Sequence, residues 1–262
     1  MVKCRYRVPS SPSIAFLRLA GCIAVAAVIA GAGRALAETA VLSAAADNTL
    51  YESATGAFSN GAGPTMFAGR TSQAIDSRRR GLIVFDVAGA IPAGATITSA
   101  ILTLSMSQSS TGDRTVALHR ASASWGEGAS DAGPSGGAGA PASANDATWL
   151  HRFWDSVFWT SPGGDFAATS SASALIGGVG IYSWSSAQMT ADTQAWLAAP
   201  AANFGWLLLG DESGSGSSKR FDTREHPDPA KRPVFTIEYS PPPNATSGET
   251  WGGVKARFRA NP

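Results

Sequence analysis

The stretch AILTLSMS at Ala100–Ser107 constrains the fold more than any other: its even positions are apolar, and after Ile101 its odd positions carry hydroxyls. A period of two sends alternate side chains to opposite faces, so this segment is a strand with one face on a core and one toward water. Leu82–Val87 is apolar on both faces and suits a central strand. Val116–Ala121, Phe204–Leu209, Lys219–Thr223 and Val234–Tyr239 continue the series, with shorter candidates at Val41-Leu42, Thr49–Glu52, Thr65–Ala68 and Ile181–Trp184. Turn signals such as Ile91-Pro92-Ala93-Gly94 and Ser110-Thr111-Gly112-Asp113 separate them. The expectation is an all-β fold, an antiparallel β-sandwich of jelly-roll type with roughly eight to ten strands and one short helix. That helix is expected from about Thr190 to Ala199, capped by Thr190, burying Met189, Trp196 and Leu197, and stopped by Pro200.

Residues 1–37 read as a secretory signal: a basic start, an apolar stretch from about Leu19 to Gly33, then Ala35-Leu36-Ala37 ahead of Glu38. Leu19-Ala20-Gly21-Cys22 also matches a bacterial lipobox, but cleavage there leaves the apolar Ile23–Ala30 run at the new N-terminus, so cleavage after Ala37 is the reading preferred. Both cysteines, Cys4 and Cys22, fall in this segment. The mature chain then has no disulfide, no thiolate nucleophile and no Cys-ligated metal. Beyond residue 37, fifteen basic side chains face nineteen acidic ones, a balance unsuited to nucleic acid. No stretch reads as a membrane span, and the expected location is secreted or at the cell surface. Gly126–Ala147 lacks periodicity, and a loop of that length is usually functional or mobile. Residues 38–240 form one domain, followed by a Pro-rich tether and polar tail over 241–262.

The order of the motifs matters too. Asp47-Asn48-Thr49-Leu50-Tyr51 is followed by Arg80–Val87, Ile91–Ile97, Ala100–Leu104, Trp125-Gly126-Glu127, Ala147-Thr148-Trp149, Pro162–Asp165, Thr193–Trp196, Asn203-Phe204-Gly205 and Arg232-Pro233. This succession resembles the DNRLRE-type bacterial extracellular domain, which is similar to carbohydrate-binding module family 96, over nearly the whole mature chain. The resemblance implies a jelly-roll-like sandwich on a secreted or surface-attached protein. It also implies a noncatalytic role, some members binding acidic polysaccharide such as alginate.

Sugars stack their C–H faces on aromatic rings and bond planar polar groups through their hydroxyls. Trp149, His151, Arg152, Trp154 and Trp159 supply both kinds of group within eleven residues, with Trp125 at the mouth of the long loop. Two readings stand for these rings: a binding platform, or a roof over the sandwich. Trp196 and Trp206, among periodic apolar neighbours, belong to the core. No cofactor is required, but a structural calcium is a candidate, with Asp165 and Asp155 its ligands and Asp146, Asp211 and Glu212 also in loop-like sequence. None of these acids has regular calcium-loop spacing, and Asp165 after Gly163-Gly164 also suits a turn. Glu127, Asp155, His119, His151 and Tyr182 are the groups a glycosidase or lyase would draw on, yet no nucleophile elbow, zinc helix or phosphate loop is present, so the chain reads as no enzyme. Arg78-Arg79-Arg80 is either a glycan-attracting patch or a hairpin end at which Arg80 fixes a carboxylate. The expected partner is a polysaccharide. The alternative is an envelope or matrix component joined through the tail, where Trp251, Lys255, Arg257 and Arg259 lie.

Overall fold

The computed structural model describes residues 37–242. The expected signal segment up to residue 36, the lipobox match at Cys22 and the tail beyond 242 lie outside the described residues. In chain order the strands are β1 (Glu38–Ser43), β2 (Ala46–Tyr51), β3 (Phe58–Ser59), β4 (Thr65–Arg70), β5 (Arg78–Val84), β6 (Thr96–Ser109), β7 (Arg114–Ala121), β8 (Ala140–Pro141), β9 (His151–Phe153), β10 (Val157–Phe158), β11 (Phe166–Ile176), β12 (Gly180–Ser185), β13 (Trp206–Leu209), β14 (Lys219–Asp222) and β15 (Val234–Ser240). A four-residue helix, α1 (Val87–Ala90), and a longer one, α2 (Ala187–Ala198), accompany them.

Every strand pairing among the described residues is antiparallel, and the fold is an all-β sandwich. Its two leaves are one sheet folded over. Leaf A runs β1-β15-β6-β14-β4, with β12 along the other edge of β6; leaf B runs β4-β5-β13-β7-β11, with β2 along the other edge of β5. Strand β4 belongs to both: its residues 65–68 pair with β14, and Gly69 and Arg70 pair with Arg79 and Arg78 of β5. Gly69 turns this corner at φ 113°, where a Cβ would stand 2.9 Å from the Ser217 carbonyl oxygen, so a side chain is refused on both counts.

The core between the leaves follows the alternation. Leu102, Leu104 and Met106 of β6 point inward against Trp184, Trp206, Phe221 and Phe235, while Ser105 and Ser107 face out. Helix α2 closes one end with Met189, Trp196 and Leu197, and Trp196 meets Trp206 edge to face at 4.5 Å. The helix begins earlier than Thr190: Ser186 is its cap, its Oγ accepting from the Met189 N–H at 2.9 Å, and Thr190 instead donates back to the Ser186 carbonyl at 3.1 Å. The apolar run starting at Leu82 leaves the strand at Val84; Asp86 caps α1 by accepting from the Gly89 N–H at 2.9 Å.

Leaf B is buried on both faces. Ile83, Trp206 and Leu208 point to the main core, whereas Leu82, Leu207 and Leu50 point the other way, into a second cluster with Ala147, Trp149 and Trp159. An outward apolar face of that kind needs a cover, and the long segment between β7 and β11 supplies it.

Candidate functional site

The aromatic segment is that cover. Trp149 and Trp159 are each 5% exposed, the first reached by the Gly163 N–H on its carbonyl at 2.6 Å, the second donating its indole N–H to the Thr148 carbonyl at 2.9 Å. Neither ring offers a face to a sugar, so of the two readings the roof holds for Trp149 and Trp159, and their expected role as ligand-stacking residues is corrected; the apolar outer face of leaf B draws them inward. Arg80 seals the cluster from above. Its guanidinium lies 4.9 Å from the Trp149 ring, donates to the Gly163 carbonyl at 2.8 Å and holds Glu212 through two bonds of 2.7 and 2.9 Å. Gly163, at φ 89°, leaves the room this needs, since a Cβ would come within 2.5 Å of Arg80. The arginine run is therefore not one patch: Arg78 is exposed, whereas Arg79 is buried and donates to the Asp76 and Arg78 carbonyls.

His151 is buried between Phe158, at 4.2 Å, and Trp154, at 4.9 Å. Burial pushes its pKa down, against the opposing pull of Asp155. Trp154 is half-buried, and Phe158 at 64% exposure is the most open ring of the hairpin β9–β10. Arg152 donates to the Ser124 carbonyl and hydroxyl at 3.2 and 3.3 Å. Trp125 is half-buried, its indole N–H fixed to the Phe204 carbonyl at 2.8 Å. Asp165 closes a turn, both its oxygens accepting backbone N–H groups of Thr160 and Ser161, and Asp155 occupies the hairpin turn at φ 59°. Asp146, buried, braces the long loop through Ser130 and Ser143.

Among the described residues nothing covers the outer face of leaf A, and it carries an open groove of about 560 Å³. Ser105 and Ser107 of β6, Ile181 of β12 and Arg220 and Asp222 of β14 form its floor, and the segment from His226 to Lys231 forms a wall. The Arg220 Nε donates to the Ser107 hydroxyl at 3.1 Å. Asp222 is buried, accepts from the Ser105 hydroxyl at 2.8 Å and lies 3.9 Å from His226 Nε2. The carboxylate thus stands between serine and imidazole, an order that does not put the base on the hydroxyl as nucleophilic catalysis needs. His119 and Tyr182 bond the Ala167 and Gly178 carbonyls at 2.8 and 2.6 Å and do not line the groove. Sequence reasoning singled out neither Arg220 nor Lys231. The only available signal was the alternation, which turns Arg220 to the same side as the hydroxyls of β6.

A third constellation joins distant parts of the chain. Asp47 of β2, Glu127 of the long loop and Glu225 after β14 bring one carboxylate oxygen each within 4.8 Å of the others. The Asp47 N–H donates to Glu127 at 2.9 Å, and Asp47 Oδ2 accepts from the Arg224 N–H at 2.9 Å. Arg224 spans the cluster, gripping Glu127 through two bonds of 2.7 Å and lying 2.7 Å from Glu225 Oε1. Among the described residues, the buried Asp47 Oδ1 and Glu225 Oε2 have no hydrogen-bond partner. Burial raises the Asp47 pKa well above the usual carboxylate range, the charge of Glu225 adding to it; burial likewise raises that of Glu225, with Arg224 opposing. Asn48 locks the neighbourhood, its Nδ2 donating to the Glu127 carbonyl at 2.9 Å and its Oδ1 accepting from the Thr49 and Asn60 N–H groups. In the sequence Asp47-Asn48 and Trp125-Gly126-Glu127 each stood out as part of a motif, but nothing tied either to Glu225.

No family model matches the chain, and no curated protein matches it.

Proposed function

We propose that the chain binds an acidic extracellular polysaccharide without transforming it, along the groove on the outer face of leaf A. The supporting observation is the lining of that groove, where Arg220, Lys231 and His226 accompany a single carboxylate, Asp222, which is already bonded to Ser105. Guanidinium and ammonium groups suit uronate carboxylates. The hydroxyls of Ser105 and Ser107 suit sugar hydroxyls, and Val179 and Ile181, 74% and 72% exposed, suit C–H faces. The resemblance to the DNRLRE-type domain points the same way. Phe158, 64% exposed, and the half-buried Trp154, both against His151, offer a second contact on the β9–β10 hairpin. Solvent competes for every such bond, so affinity falls on the order of micromolar to millimolar.

Affinity electrophoresis of the chain in gels of alginate, pectin and a neutral glucan tests this. Retardation is expected in the acidic gels, lost in Arg220→Ala/Lys231→Ala with an unchanged melting temperature and weakened by salt. Retardation that survives this double variant but disappears in Phe158→Ala would move the site to the hairpin. Release of reducing ends or unsaturated products would replace binding by catalysis.

A further inference from the structure

We infer that Asp47, Glu127 and Glu225 form a binding site for one calcium ion. An acidic cluster alone would not say so, because a guanidinium in its midst can hold acids together. The deciding feature is Asp47: its side chain is fully buried, yet among the described residues Oδ1 has no hydrogen-bond donor, and the buried Oε2 of Glu225 in the same cluster has none either. Leaving a buried carboxylate oxygen without a partner is costly, and two such oxygens in one constellation call for a shared cation.

Charge and size agree. The cluster sets three carboxylates against the one guanidinium of Arg224, so two negative charges remain for a divalent ion to balance. Oxygen atoms bound to one calcium at about 2.4 Å can be no more than about 4.8 Å apart, and the three carboxylates satisfy that limit. The donors are all oxygen, the chemistry of a hard cation rather than of zinc or copper. Glu127 and Glu225 keep 18% and 22% of their side chains exposed, so the cluster has a wet side through which an ion enters and water completes its shell.

These acids come from β2, the long loop and the segment after β14. A cation there ties the Gly126–Ala147 loop to the sheet and fixes the chain leading to His226, the first residue of the groove wall. The site is independent of the polysaccharide reading and stands or falls on its own measurement.

Titration of the chelator-treated full chain with calcium chloride, by calorimetry and by thermal melting, tests it, with magnesium chloride at equal ionic strength as control. One saturable site is expected, with Kd on the order of 10⁻⁴ to 10⁻³ M. At about ten times Kd the melting temperature should rise by about 3–6 °C. Asp47→Asn and Glu225→Gln should each weaken calcium binding at least about tenfold, the loss of a charged ligand. Glu225→Gln, at a partly exposed side chain, decides alone if Asp47→Asn does not fold. Absence of saturable calcium binding up to about ten times that range, equal stabilisation by magnesium, or undiminished binding in Glu225→Gln overturns the site.

Discussion

Lys219 shows how far a single side chain can depart from what its type suggests. It is fully buried, and its ammonium donates to the Ser109 hydroxyl and to the Thr111, Gly112 and Gly177 carbonyls at 2.7 to 3.1 Å, pinning the β6–β7 turn to the turn after β11. A lysine in a strand reads from sequence as an outward residue, because nothing local announces four acceptors waiting from two other segments. His151 makes the corresponding point for acidity. Its pKa is lowered by burial among Phe158 and Trp154, so the folded chain resists protonation while the unfolded chain accepts it near the ordinary value of about 6.5. The unfolded state then binds more protons below that pH, and stability drops as pH falls through it toward the lower folded pKa. Other groups titrate in the same range, so the measurement is the difference between the chain and His151→Gln in melting temperature at pH 7.5 and 5. The chain should lose more on acidification than the variant; equal losses would mean that the imidazole protonates freely in place.

At the scale of elements, the ten strands legible in the sequence are all present, and the eleventh of the large sheet, β11, is the one that was not. Its sequence FAATSSASALI buries Ser171, Ala172 and Ile176, and residues as small as Ser and Ala leave no hydrophobic period to read. Ser186 was passed over as a helix cap for a similar reason: it follows Ser183, Trp184 and Ser185 of a strand, and only the completed turn shows which hydroxyl meets the Met189 N–H. The apolar character of Leu82–Val87 on both faces marked a central strand, but neither that the outer face of its leaf is covered nor which segment covers it. Stability separates the cover from its surface. Trp159→Ala should cost about 3–5 kcal/mol by emptying the second cluster, whereas Phe158→Ala, next to it but 64% exposed, should cost under about 1 kcal/mol. Urea denaturation of the two variants checks the contrast. Comparable losses would place Phe158 in the packing as well and remove it from the surfaces open to a ligand.

For the whole molecule, the consequence of a sheet folded on itself is that its two outer faces have different fates: that of leaf B is roofed by the long segment, and that of leaf A keeps the hydroxyls of β6 open to solvent. None of the residues lining the groove was among the expected ligand residues, because the lining comes from six separated stretches whose meeting is a property of the fold. Neighbouring positions on β6 put this asymmetry to a direct test. Leu104 faces the core between the leaves, so Leu104→Asp buries a carboxylate with no partner, a cost of several kcal/mol against a total stability of about 5–15 kcal/mol. Ser107 lies three residues on and faces the groove, its hydroxyl 3.1 Å from Arg220 Nε, so Ser107→Asp sets a carboxylate against that guanidinium in contact with water. Leu104→Asp should abolish cooperative melting, while Ser107→Asp should melt within about 1 °C of the unmodified chain. Because the new carboxylate occupies Arg220 and repels uronates, Ser107→Asp should lose retardation in alginate. A folded Leu104→Asp would reverse the facing of β6. Undiminished alginate binding in a well-folded Ser107→Asp would take the polysaccharide off this face of the sandwich.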